Sequence, residues 1–278
     1  MQLSKVAFIG GGHMGRALVA ALLRAGLPAT RIAIGEPDSG QRQALQRLFP
    51  DVHVTADNAQ AAADAEVVVL AVKPQEMSAV IRPLRTALLA RCPVVLSVAA
   101  GLRVADLEAF CGPGVPIVRA MPNRAALMGA GATGLYAAPQ VTPGQRARAA
   151  EVMHAAGTVV WVEDEQLMDA VTAVSGSGPA YFFLLAEALA EAGIAQGLPR
   201  PAAERLAAAT LHGAGLMVAA EDADVVRMRA EVTSKGGTTE AAVRALEAAG
   251  FRDTLRAAVD AATQRGRELA EQFGNKNT

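Results

Sequence analysis

Short apolar runs alternate with stretches of helical periodicity through the first half of the chain, and the second half keeps only the helical pattern. Val6–Ile9, Ile32–Ile34, Val52–Val54, Val67–Val72, Val94–Val98, Ile117–Val118, Thr133–Ala137 and Thr158–Val162 read as strands by length and composition. Between them, Met14, Leu18, Leu22 and Ala25 recur on one helical face before a stop at Gly26. Further helices are predicted over Ser39–Phe49 and Met77–Leu89. Such alternation predicts a parallel, doubly wound sheet, whose ligands bind beyond the carboxyl ends of the strands. Lys73-Pro74, Ala99–Gly101 and Arg119–Asn123 fall at such ends.

From about Glu163 the strands stop. Ala/Leu/Glu/Arg segments follow at Ala180–Gln196, Pro201–Ala219, Asp224–Glu231, Thr239–Ala249 and Arg252–Phe273, punctuated by Gly193, Gly197, Pro199, Gly236-Gly237 and Gly250. The pattern predicts an α/β domain over residues 1–163 and an all-helical domain over 164–278. With so few large side chains the helical half would bury little as a lone copy, so a homodimer through this half is expected.

The sharpest motif lies between Lys5 and Glu36. The strand Val6–Ile9 runs into Gly10-Gly11-Gly12-His13-Met14-Gly15, a helix follows, and Glu36 stands about 20 positions further on. In this frame G-x-G-x-x-G is a dinucleotide fingerprint. Gly10 permits the tight turn, Gly12 lets the backbone approach a pyrophosphate, and Gly15 lets helix and strand pack closely. The N–H groups at the helix start then face the phosphates.

The helical half carries two more glycine-rich stretches before helices, Val174–Tyr181 and Thr233–Glu240. Both suit helix capping, and both suit an anion cradle for a carboxylate.

Composition removes alternatives. Net charge is -1 over 278 residues, which gives no electrostatic reason to expect nucleic acid. The two cysteines, Cys92 and Cys111, form no C-x-x-C pair, and His13, His53, His154 and His212 lack ligand spacing, so no metal site is predicted. No apolar stretch reads as a signal peptide or membrane span, and a soluble, cytoplasmic setting is expected. There is no nucleophile elbow and no Walker lysine. The chemistry left open is hydride transfer by a nicotinamide.

The chain resembles the Δ1-pyrroline-5-carboxylate reductase family over essentially its whole length. The resemblance rests on Phe8–Gly15, Ala71–Pro74, Ser97–Gly101, Arg119–Asn123, Val171–Tyr181 and Gly236–Glu240. It implies a Rossmann-like N-terminal domain, a helical dimerisation domain, reduction of a cyclic imine to proline, and a homodimer or a decamer of five dimers. It further implies cofactor contacts at Ile9, Gly10, Gly11, Gly12, His13, Met14, Gly15, Glu36, Asn58, Ala71, Val72, Lys73, Pro74, Ala99, Ala100 and Gly101. Substrate contacts are implied at Ser234, Gly236, Gly237, Thr238 and Thr239, with Asp222 as a further acidic position and Thr239 as the catalytic residue.

Four positions depart from the family pattern. His13 stands where Asn or Gln is common, Arg124-Ala125 where Thr-Pro is common, Lys235 where Pro is common, and Glu36 where Ser often receives a 2′-phosphate. A carboxylate at Glu36 suits ribose hydroxyls and repels a phosphate, so NADH is expected to serve at least as well as NADPH, although Arg42 could still reach a phosphate. A β-hydroxyacid dehydrogenase shares this plan but needs a lysine that the chain, with none between Lys73 and Lys235, lacks. A non-catalytic nucleotide sensor would have no use for the second glycine loop.

Overall fold

The computed structural model describes residues 3–220 and 222–275. The chain divides into two compact units. One runs to Ser177 and takes back the chain from Ala262, and the other is Gly178–Ala261.

The first unit is built on β1 (Val6–Ile9), β2 (Ile32–Gly35), β3 (His53–Thr55), β4 (Val67–Leu70), β5 (Val94–Ser97), β6 (Ile117–Pro122), β7 (Gly131–Ala137) and β8 (Gly157–Trp161). They form one sheet in the order β3-β2-β1-β4-β5-β6-β7-β8. Val6 lies opposite Ile32 on one side and Val67 on the other. The helices are α1 (His13–Arg24), α2 (Ser39–Leu48), α3 (Asn58–Ala62), α4 (Met77–Ile81), α5 (Arg85–Arg91), α6 (Val104–Cys111), α7 (Pro143–His154) and α8 (Leu167–Val171). Every side chain of β1 and β4 is fully buried. That explains unbroken apolar runs in place of alternation, as expected for strands covered on both faces.

Three features differ from the periodicity. All pairings are parallel except β6 with β7. Only the 3₁₀ turn Arg124–Met128 and its flanks join those two strands, too short a link for a parallel crossover. The helix expected over Met77–Leu89 is interrupted by a 3₁₀ turn, Arg82–Leu84, centred on Pro83, which has no N–H to continue the ladder. Helices α3 and α7 arise where the apolar pattern is weak and caps do more, while α6 buries Val104, Leu107 and Phe110 on one face. Asp57 accepts from Ala59 and Gln60 N–H, and Thr142 closes a capping box with Gln145.

The stretch read as a glycine loop before Tyr181 is helical instead. A π turn, Thr172–Gly176, follows α8 and leads into α9 (Gly178–Ala195), with the Ser177 N–H on Thr172 O at 2.8 Å. As a consequence one helical stretch among the described residues, Leu167–Ala195, is long and apolar enough to cross a membrane by length and composition, where none was expected.

The second unit contains α9, α10 (Arg200–Val218), α11 (Val225–Glu231), α12 (Thr238–Ala248) and the start of α13 (Phe251–Asn275). Among the described residues its buried cluster is Ala190, Ala203 and Ala207, with Ile194 packed beside them. Gly193 admits Leu198 and Ala203, each within 3.4 Å of where a Cβ would stand.

Candidate functional site

The glycine turn lies at the carboxyl end of β1. Gly10 adopts φ +98°, and a Cβ there would stand 2.7 Å from Val72 Cγ1 and 2.8 Å from Ala71 O. A Cβ on Gly15 would stand 2.7 Å from Gly10 O, which is the close helix–strand approach the motif anticipates. Gly12 is the N-cap of α1 and offers no side chain to its N–H groups. The first backbone bond of the helix joins Arg16 N–H to Gly12 O, so the N–H groups of His13, Met14 and Gly15 precede it. His13 is exposed and Met14 half-buried. Arg16 Nε donates to Gly11 O at 2.7 Å and braces the turn. An uncapped helix start beside bare glycine backbone is an anion site.

Glu36, at the end of β2, is only 6% exposed. One carboxylate oxygen accepts from Gly11 N–H at 2.9 Å and the other from Asp38 N–H at 3.1 Å. The residue therefore locks the glycine turn as well as facing the site. Arg42 Nη1 donates to the carbonyls of Glu36 and Pro37 at 2.9 and 2.6 Å, which sets a guanidinium at the same corner. Asn58 begins α3, and its buried Oδ1 lacks a hydrogen-bond partner. A Cβ on Gly35 would stand 2.3 Å from that oxygen, so glycine just before Glu36 is what admits Asn58. Gly35 escaped the sequence reading, although its place one residue ahead of the acid was a usable signal.

Ala71–Pro74 leave the end of β4, with Lys73 exposed and Pro74 opening a 3₁₀ turn. Ala99–Gly101 leave the end of β5, and Gly101, at φ +76°, is approached by the Phe273 ring. Ile9 is buried inside β1. The fold thus gathers the expected cofactor residues along one sheet edge, at the ends of β1, β2, β4 and β5. An orphaned oxygen, an uncapped helix start and a glycine cradle fit a dinucleotide there.

Asn123, just past β6 on the same edge, belongs to a quoted motif but not to the expected site. It is 9% exposed, and its Oδ1 accepts from Ala125 and Ala132 N–H, both at 3.2 Å. Its Nδ2 donates to Ser175 O in the π turn at 3.0 Å. Arg124, by contrast, is exposed. Nearby, Arg119 is buried and pairs with Glu165 at 2.8 Å, and the same carboxylate oxygen accepts from Val104 N–H.

In the second unit Gly236, Gly237, Thr238 and Thr239 open α12. Gly236 adopts φ +73°, and its N–H donates to Glu240 Oε2 at 2.8 Å. Gly237 is the N-cap, with no side-chain cap, and its N–H is spent on Ser234 O at 3.0 Å. A Cβ on Gly237 would stand 2.6 Å from Ser234 Oγ, which accounts for glycine here. Ala241 N–H to Gly237 O is the first backbone bond, so the N–H groups of Thr238, Thr239 and Glu240 precede it. Thr238 is exposed and Thr239 half-buried, while Lys235 lies exposed in the preceding turn. Asp222 sits in an exposed turn ahead of α11, separated in sequence from the loop by that helix.

A family model described as pyrroline-5-carboxylate reductase dimerisation matches residues 165–269. One described as NADP oxidoreductase, coenzyme F420-dependent, matches residues 5–101. The chain is 45% identical to a pyrroline-5-carboxylate reductase of Pseudomonas aeruginosa, covering 99% of this chain and 100% of the relative. It is 42% identical to the enzyme of that name from Mycobacterium tuberculosis, over 96% and 97%. Among solved structures, a pyrroline-5-carboxylate reductase from Coxiella burnetii superposes with TM-score 0.93 at 40% identity, covering 97% of this chain and 99% of that one. A Plasmodium falciparum pyrroline carboxylate reductase with NADP bound gives 0.80 at 27% identity, over 97% and 98%.

Proposed function

The chain belongs to the pyrroline-5-carboxylate reductase family, and from that premise we propose how its own residues reduce Δ1-pyrroline-5-carboxylate to L-proline. It is an oxidoreductase acting on a C=N bond with a nicotinamide cofactor. The observation that supports the site assignment is the presence, in one chain, of two glycine-opened helix starts without side-chain caps, at α1 and at α12.

The residues Ile9–Gly15, Glu36, Asn58, Ala71–Pro74 and Ala99–Gly101 hold the cofactor. The N–H groups of His13, Met14 and Gly15 receive the pyrophosphate, and Glu36 and Asn58 face the adenosine ribose. When bound, the reduced nicotinamide supplies the hydride that adds to the imine carbon. A carboxylate at Glu36 beside the ribose suits its hydroxyls and favours NADH at least as much as NADPH. Arg42 places a guanidinium at the glycine corner that can offset this for a 2′-phosphate.

The substrate carboxylate binds the N–H groups of Thr238 and Thr239. This refines the expectation for the loop, because the Gly237 N–H is already turned inward to Ser234. The Thr239 hydroxyl accepts the hydrogen bond of the protonated imine nitrogen, which keeps its proton and becomes the ring amine as the C=N bond is reduced. An iminium is already electrophilic, so positioning and charge stabilisation suffice. Gly236, Ser234 and Glu240 shape the loop, and Asp222 is assigned as a further acidic substrate residue.

The region from Asp164 onward serves substrate binding and dimerisation. Its exposed apolar side chains support a homodimer, with a decamer of five dimers as the larger assembly and the cytoplasm as its place of work. The direct test is mass spectrometry of proline formed from pyrroline-5-carboxylate with C4-deuterated NADH. Deuterium at the former imine carbon is expected, and unlabelled or absent proline would refute the reading.

A further inference from the structure

The π turn and Asn123 remain outside the reading above, yet the geometry ties them to it. Residues Thr172–Gly176 pack against the carboxyl end of β6 and the facing part of β7. Gly134 makes room for Val171, whose Cγ1 lies 2.4 Å from where a Cβ would stand, and Gly176 makes room for Met121 at 2.9 Å. In an α-helix the carbonyl of Ser175 would accept from position 179, but Pro179 has no N–H. Asn123 Nδ2 supplies the missing donor from 52 positions away. The same side chain takes N–H groups from both sides of the β6–β7 connection, Ala125 and Ala132. A single buried amide therefore pins the turn to the sheet edge.

The direction of that edge gives the pin a use. The reading above puts the adenosine side at β2 and the pyrophosphate at β1, and the strand order continues from β1 through β4 and β5 to β6. A dinucleotide laid along it points its nicotinamide toward β6, the strand that ends at Asn123.

We propose that Asn123 is a positioning residue for hydride transfer, acting through the carbonyl of Ser175 to fix the π turn as a wall at the nicotinamide end of the site. It touches neither substrate nor cofactor. Misplacing such a wall by about an ångström costs on the order of a hundredfold in rate without abolishing binding. The inference rests on the reductase reading and on the cofactor lying along this edge.

Asn123→Asp tests it, because the carboxylate keeps both acceptor bonds but replaces the donor to Ser175 with an oxygen that repels that carbonyl. Three readouts are taken together: cofactor dissociation by nicotinamide fluorescence, hydrogen exchange of residues 172–177, and steady-state kinetics with pyrroline-5-carboxylate. Cofactor affinity within about twofold of the parent, faster exchange in the turn, and kcat lowered at least about tenfold with little change in KM are expected. Unchanged kcat despite faster exchange, or a loss carried by KM or cofactor affinity alone, would overturn it. Should that variant lose all cofactor binding, Asn123→Ser, too short to reach Ser175, is read by the same criteria. If the parent protein itself turns over no pyrroline-5-carboxylate, the underlying reading has failed rather than this one.

Discussion

The two units of the chain solve the burial problem in opposite ways. In the Rossmann-like unit β1, β4 and β5 are covered on both faces, and one contiguous core reaches from Leu3 to Ala156. In the helical unit three alanines make the buried cluster, while Phe182, Phe183, Leu184, Leu185 and Leu189 of α9 stand exposed, Phe183 at 67%. An apolar groove of about 460 Å³ opens between α12 and α13, lined by Val243, Leu246, Phe251, Leu255 and Val259, with Arg229 of α11 beside it. A row of large apolar side chains on this scale marks an interaction surface. One unit is complete as a single copy, and the other is not.

Charge placed on the helical face breaks this contrast most severely. Phe183→Glu should reduce the assembly to single chains by light scattering and cost at least about 2 kcal/mol of apparent stability, whereas a true surface site would change by only about 0.5 kcal/mol. Next in size is the chemistry proposed for Thr239 of the same unit. Thr239→Ala should lower kcat roughly a hundredfold, as loss of a positioned polar group does, with cofactor affinity within about twofold.

The complete unit is challenged at its turn. Gly10→Ala forces a side chain into φ +98° and against Ala71 O, at an expected cost of about 1–3 kcal/mol together with weakened cofactor binding, read by thermal melting and fluorescence titration. Glu36→Ser removes the carboxylate proposed to repel a 2′-phosphate and also the lock on Gly11 N–H. The ratio of kcat/KM for NADPH to that for NADH should rise about tenfold, while both values fall. The smallest effect concerns the thiols. Burial pushes the Cys111 thiol up to about 12, so it stays protonated and hidden at pH 8, and only the exposed Cys92 should be alkylated in the native protein.

How much of this was legible in the sequence depends on the physics behind each feature. The βαβ frame from Val6 to Glu36 was readable because buried strands and glycine turns leave local signatures, and the edge that gathers Ala71–Pro74 and Ala99–Gly101 followed from strand alternation. The antiparallel β6–β7 pair was not, because it depends on the length of a connection rather than on any residue type. The π turn was hidden because Ser-Gly-Ser-Gly-Pro reads as a loop, and the donor that serves its Ser175 carbonyl, Asn123, lies 52 positions away. Glu36 was read as a ribose ligand. Its hold on Gly11 N–H depends on a side-chain rotamer that no spacing reveals.

The central proposal is that the chain reduces pyrroline-5-carboxylate with a hydride from a bound nicotinamide. It is tested most directly by following reduced-nicotinamide absorbance after adding pyrroline-5-carboxylate, with NADH and NADPH in parallel. Substrate-dependent oxidation of both is expected, with kcat/KM for NADH at least equal to that for NADPH. Absence of substrate-dependent oxidation with either cofactor would contradict it.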